Sequence, residues 1–168
     1  MIRMSSPAKQ GEDIFLCYNR YMRINIEFNN EAESPIAEDF LSRVAQRTIE
    51  LSGCAFLYDK DIVLSVAAVS EDEIKDLNRI YRKNDNVTDI LSFCEFESRD
   101  EIEKDTEKEI FLGELILCYN DIEKYARENG IILEKEIANV FSHGVLHLLG
   151  FSHGEEMFAI QKKIIDKI

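Results

Sequence analysis

All three histidines of this 168-residue chain fall within eleven residues, HGVLHLLGFSH, as His143, His147 and His153. Residues four apart on a helix share a face one turn apart, so His143 and His147 can aim their imidazoles at one point. Gly150 is suited to stop the helix, because glycine adopts the left-handed backbone without a side-chain clash, and the turn that follows can bring His153 back to the same point. Histidines that merely fill a core need polar partners, and here most of their neighbours are apolar. A metal is the better account. Three neutral imidazoles leave one position open for water or substrate, which is the arrangement of a catalytic zinc centre in which the pKa of the bound water falls to about 7. The expected cofactor is therefore one Zn2+ ion held by His143, His147 and His153, completed by water or substrate.

The same spacing occurs in the metzincin protease pattern HExxHxxGxxH. This chain departs from it at one position. Where that pattern carries the glutamate that takes a proton from the zinc-bound water, the chain has Gly144, with no other acid inside the motif. Peptide hydrolysis by that route is disfavoured. A glycine there is also expected to leave room beside the metal for a bulky tetrahedral group such as a phosphodiester.

The chain is strongly acidic, with a net charge of −13, so polyanions are repelled at long range and must be met by a local basic patch. The clearest such patch is Arg79, Arg82 and Lys83 in LNRIYRKNDNVTDILSF, residues 77–93. Cations near a helix C-terminus are expected on dipole grounds alone, so by itself the cluster leaves a phosphate-binding role open. Cys17, Cys54, Cys94 and Cys118 form no CxxC pair and read as reduced thiols. No stretch approaches the roughly 18–20 apolar residues of a membrane helix, and no secretory leader is visible. A cytoplasmic protein with no membrane partner and no DNA partner is expected.

Positioning these residues requires an ordered frame. Arg23–Phe28 alternates as a half-buried strand, and residues 36–51 repeat at helical spacing. Ile62–Val69 reads as a second strand. Ser70 and Glu73 form a capping box for a helix ending near Arg82. A third strand follows at Asp89–Phe93 and a fourth at Leu112–Cys118, separated by the charge-dense residues 95–109, which read as a solvated excursion and not as a site. Asn120 is expected to cap a helix that Gly130 ends. A nearly all-round apolar helix over 134–149 must be buried at the centre, and an amphipathic segment from Glu155 to Ile168 is expected to pack back over the sheet. The expected fold is thus α+β: residues 22–168 form a single domain with a roughly four-stranded mixed sheet against several helices and the zinc site on a central buried helix. Residues 1–21 lack periodicity and are expected to be a loose N-terminal extension.

With the histidine run and the segment at 77–93 both in view, the sequence resembles the YbeY family of bacterial endoribonucleases, whose hallmark is HGxLHLxGYDH downstream of LNxxYRxxDxxTDVLSF. The resemblance spans roughly residues 22–166, including LGELILC at 112–118 and the closing stretch with Met157, Phe158 and Gln161. It implies a zinc-dependent, single-strand-specific endoribonuclease whose partners are ribosomal RNA precursor and the small ribosomal subunit, in rRNA maturation and ribosome quality control. It also implies that His143, His147 and His153 hold the metal and that Arg82 is the catalytic arginine, neutralising a phosphate oxygen as charge builds in the transition state. The chain departs from the family at Ser152, where an aspartate is usual, at Glu114 in place of an aspartate, and at Cys94 in place of a proline. The general base is left open between unaided hydroxide and assistance from Glu114 or Asp89. Two other readings use the same histidines: a non-catalytic ribosome-assembly factor with a structural zinc, and a zinc peptidase.

Overall fold

The structure, a computed structural model, describes residues 22–168. The expected extension at 1–21, with Cys17, lies outside the described residues. Four strands, β1 (Arg23–Asn30), β2 (Asp61–Ala68), β3 (Ile90–Cys94) and β4 (Glu109–Leu117), form one sheet in the order β1-β2-β4-β3. β1, β2 and β4 run parallel and β3 runs antiparallel to β4, so the sheet is mixed and β3 is an edge. Six helices accompany it: α1 (Glu38–Ser52), α2 (Glu71–Arg82), α3 (Arg99–Lys104), α4 (Tyr119–Asn129), α5 (Leu133–Leu148) and α6 (Glu155–Ile165). The α+β single-domain expectation holds, with His143 and His147 on the central helix α5 and His153 just beyond it.

The main core lies between one sheet face and helices α1, α5 and α6. A smaller cluster on the opposite face, around Ile74, Leu91 and Ile116, seats α2 against β3. The Ser70 capping box forms as expected, with the Ser70 hydroxyl accepting from the Glu73 amide at 3.3 Å.

Three local expectations are corrected. Asn120 lies inside the first turn of α4, and the extended residue before that helix is Cys118, so Asn120 is not its cap; Gly130 does end it, at φ 65°. Residues 95–109 are not wholly solvated, because Ser98 caps α3 and Ile102 is fully buried. The last helix packs against α1 and α5 and not over the sheet, since its apolar residues Met157, Ile160 and Ile164 complete the core on the outer side of α5.

The sequence reading of Gly144 is also overturned. A Cβ at this position would meet Ile90 Cδ1 at 2.5 Å and Leu115 Cδ2 at 2.8 Å, so the glycine serves close packing of α5 on β3 and β4 and opens no space beside the histidines. Gly113 meets the same crowding from the strand side. It sits at φ +136° beside a register shift between β2 and β4, and a Cβ there would lie 2.2 Å from the Phe93 carbonyl oxygen. The two glycines differ in tolerance. Gly144→Ala presses only on the ends of flexible side chains and gains helix propensity, so a net change within about 1 kcal/mol is expected. Gly113→Ala meets fixed backbone and a strained φ, and should lose about 3 kcal/mol or more. Urea denaturation of the two variants side by side checks this, and equal losses would contradict it.

Candidate metal centre

The fold brings the three predicted histidines together. Their Nε2 atoms lie 3.0 Å (His143 to His147), 3.2 Å (His147 to His153) and 3.1 Å (His143 to His153) apart. Helix α5 supplies the first two from one face, and its C-terminus directs the third. The Gly150 amide donates to the His147 carbonyl at 2.9 Å and the Phe151 amide to the Leu146 carbonyl at 3.0 Å, with Gly150 at φ +80°. These are the two bonds of a Schellman motif, and they turn the chain so that His153 faces back. Gly150 has a second reason to be glycine: a Cβ would lie 2.7 Å from the Arg99 amide nitrogen, so the start of α3 rests directly on this turn.

Hydrogen bonds at the far ring nitrogens decide what the Nε2 atoms can do. His147 Nδ1 lies 3.0 Å from the Phe151 carbonyl, which only accepts, so the proton is on Nδ1. His143 Nδ1 lies 3.4 Å from Gln161 Oε1, whose orientation is fixed because Gln161 Nε2 donates to the Asn139 carbonyl at 3.3 Å. Both Nε2 atoms therefore present lone pairs toward each other, which repel unless a cation sits between them. Burial foremost, with His143, His153 and Arg82 adding, holds the His147 pKa below its ordinary value and so favours the neutral ring a metal needs. The three residues fit a divalent ion, and imidazole ligands suit zinc.

Arg82, from the end of α2, reaches the same cavity round the β3 edge. Its Nη2 donates to the Ser92 carbonyl at 2.7 Å and its guanidinium lies 5.6 Å from the centre of the Phe93 ring. The histidine cavity is lined by Arg82 together with Ser92, Cys94, Phe96 and Glu97. The other two residues of the basic patch are occupied differently. Arg79 pairs with Asp76 at 2.8 Å, and the Lys83 ammonium donates to the Ile80 carbonyl at 2.9 Å. Among the described residues no carboxylate pairs with Arg82, which leaves its charge available to an anion.

The two proposed base residues separate. Glu114 is opposite Phe93 in the β3–β4 ladder and accepts from the Ser65 hydroxyl at 3.3 Å, on the sheet face away from α5. It cannot serve the histidines. Asp89 lies on the α5 side, lining a second cavity that also includes His143. Sequence reasoning missed two residues here. Glu97 belongs to the stretch set aside as solvated, yet it is the one carboxylate on the lining of the histidine cavity; the Ser98-x-x-Glu101 cap followed by Ile102 signals that this stretch is folded. Gln161 stands in the closing helix at an apolar-spaced position, and a buried glutamine there signals a polar partner.

Three comparisons with known proteins bear on the centre. The family model described as endoribonuclease YbeY matches residues 25–168. An endoribonuclease YbeY of Caldicellulosiruptor saccharolyticus is 34% identical over 137 residues, covering 79% of this chain and 87% of the relative. One of Staphylococcus carnosus is 39% identical over 113 residues, covering 64% and 73%. Among solved structures, a solution structure from Thermotoga maritima superposes with a TM-score of 0.56 at 31% identity, covering 86% of this chain and 87% of that one.

Two outcomes test this geometry. Gln161→Leu removes the acceptor that orients His143 and should weaken zinc binding about 10- to 100-fold with the fold retained, measured by competition with a chromogenic chelator. An unchanged affinity would count against the orienting role. Glu136, 6% exposed, hydrogen-bonds Asn139 at the other end of the same network. Burial raises its pKa, with Asp89 adding and the Asn139 bond opposing. A folded pKa above the unfolded one means that stability is fully present below the unfolded pKa and is lost as pH rises through the folded pKa. Glu136→Gln should therefore match the parent below about pH 4 and exceed it in urea denaturation at about pH 7.

Proposed function

This chain belongs to the YbeY endoribonuclease family, and we propose that it is a zinc-dependent endoribonuclease that hydrolyses single-stranded RNA in the maturation and quality control of small-subunit ribosomal RNA, in the cytoplasm. Membership supports the RNA-cleaving role, and no helix among the described residues is long and apolar enough to cross a membrane. The observation that carries the reading is the meeting of the three imidazole Nε2 atoms in one cavity with an arginine that no carboxylate of the described residues pairs. Zinc, when bound, supplies Lewis acidity to a phosphoryl oxygen and lowers the pKa of a water.

The protein residues do the rest. His143, His147 and His153 hold the ion, their protonated Nδ1 edges fixed at His143 and His147 by Gln161 and Phe151. Arg82, held by the Ser92 carbonyl and the Phe93 ring, offers its remaining N–H groups to a phosphate oxygen and stabilises it as negative charge accumulates. Glu97 lines the same cavity, and its carboxylate is assigned the role of taking the proton of the attacking water. The small ribosomal subunit and its precursor RNA are the proposed partners, and DNA is not one.

His147→Ala should lose both zinc and cleavage of ribosomal precursor RNA. Arg82→Ala should keep a full equivalent of zinc and lose turnover about a hundred-fold or more, and Glu97→Gln should do likewise with an altered pH–rate profile. Metal analysis paired with an RNA cleavage assay reads all three. A fully zinc-loaded protein that cuts no precursor RNA would overturn the enzymatic reading.

A further inference from the structure

A cavity of about 520 Å³ opens on the other side of His143 from Arg82, walled by Asp89, Asp121, Tyr125, Glu136, Asn139 and Gln161. Its volume falls within the range of small-molecule sites, roughly 300–1,000 Å³. His143 and Ile90 line both this cavity and the one that holds the histidines and Arg82, so the two adjoin at a metal ligand. Resting on the ribonuclease reading, we propose that this cavity is a nucleobase pocket that seats a base next to the cleaved phosphodiester, guanine before the other bases and uracil last.

The hydrogen-bonding groups left in the cavity set that order. The amides of Asn139 and Gln161 are committed to one another, to Glu136 and to His143. What remains to meet a guest is mainly carboxyl oxygen: that of Asp121, and the second oxygens of Asp89, whose Oδ1 already accepts from the Ile90 amide and the Thr88 hydroxyl, and of Glu136, whose Oε1 accepts from Asn139. Guanine carries N1–H and N2–H side by side on its Watson–Crick edge, two donors that match the two oxygens of a carboxylate such as Asp121, whereas uracil has one N3–H set between two carbonyl oxygens that face the same acceptors. Unstacked bases in single-stranded RNA are read along this edge. Tyr125, 53% exposed, offers a ring face on which a base can stack.

Two other guests fit this lining less well. Among the described residues, His143, His147 and His153 are the one group of three or more histidine, cysteine or acidic residues whose ligand atoms lie within 4.8 Å of one another. The three carboxyl groups therefore do not converge on an ion. A phosphate is repelled by the same groups and belongs on the Arg82 side. Burial foremost, with Asp89 adding, raises the pKa of Asp121, as expected of a crowded acidic wall that an N–H donor would relieve.

The test uses the zinc-loaded full chain with 5′-GMP and 5′-UMP as probes, titrated by calorimetry, and an RNA series in which only the bases flanking the cleaved bond vary. GMP should bind at least about tenfold more tightly than UMP. Glu136→Gln or Asp121→Asn should erase most of that difference, and Tyr125→Ala, a surface change, should weaken both nucleotides by about tenfold. The cleavage series should show the same base order at one flank. Equal binding of GMP and UMP, or a difference that both carboxyl variants leave intact, would overturn the pocket. So would a second equivalent of zinc or manganese that Asp121→Asn removes, since the cavity would then hold a cation. RNA cut equally whatever its flanking base would end the proposal while leaving the ribonuclease reading standing. If no RNA is cut, that reading fails, and mononucleotide discrimination alone decides the pocket.

Discussion

The centre depends first on how closely α5 lies against β3 and β4. Gly113 on the strand omits a side chain that would strike the Phe93 backbone and press on Leu148, and Gly144 on the helix lets the ends of Ile90 and Leu115 close over it. A helix seated this tightly cannot rotate or slide without overpacking, so the face that carries His143 and His147 is fixed relative to the sheet edge. The position that carries a catalytic glutamate in the metzincin pattern is occupied here by packing. An acid at Gly144 would press on Ile90 and Leu115, so a proton acceptor supplied by the chain would have to come from elsewhere. The proposed acceptor, Glu97, comes from the connection beyond the edge strand.

Edge placement has a second consequence. Because the strand order puts β3 outermost, a residue from α2, on the opposite face, can pass round it. Arg82 does so, bonded to the outward carbonyl of Ser92 and resting against Phe93, whose side chain lies on the α2 face. In a chain of net charge −13 this matters more than the count of basic residues. Arg79 is spent on Asp76 and Lys83 on a helix-end carbonyl, so the local field toward the histidines comes chiefly from the guanidinium whose partners are a neutral carbonyl and a ring. Neutral partners orient a charge without cancelling it.

Much of this was legible in the sequence, and the failures have physical causes. The strands, the long helices and the histidine convergence follow from periodicity and from the spacing of four, then six, across a glycine. Those rules concern local backbone geometry, and they hold wherever tertiary contacts do not oppose them. Gly144 was misread because an empty side chain was assigned to the metal side, and only the register of α5 on the sheet shows that it faces Ile90 and Leu115. Glu114 and Asp89 looked equivalent in one dimension. The alternation of β4, shifted at the Gly113 irregularity, sends Glu114 to the far face. Residues 95–109 were discounted for their charge, although one buried isoleucine and a serine cap suffice to fold six of them.

The hydrogen-bond chain from His143 through Gln161 and Asn139 to Glu136 joins these themes, because every link has a fixed direction. His143 Nδ1–H donates to Gln161 Oε1, Gln161 Nε2 donates to Asn139 Oδ1, and Asn139 Nδ2 donates to Glu136 Oε1. A chain polarised one way ends on the group best able to accept, and a carboxylate at that end strengthens each donor before it. The effect reaches the ring as greater basicity at Nε2, the atom turned toward the proposed metal. Burying that carboxyl opposes folding at neutral pH, as the upward shift of its pKa implies. A neutral, better-packed residue at Glu136 would serve stability. The retained charge is therefore accounted for by what stands at the other end of the chain, a proposed metal ligand, and by the cavity between, where the same carboxyl faces whatever guest enters beside it.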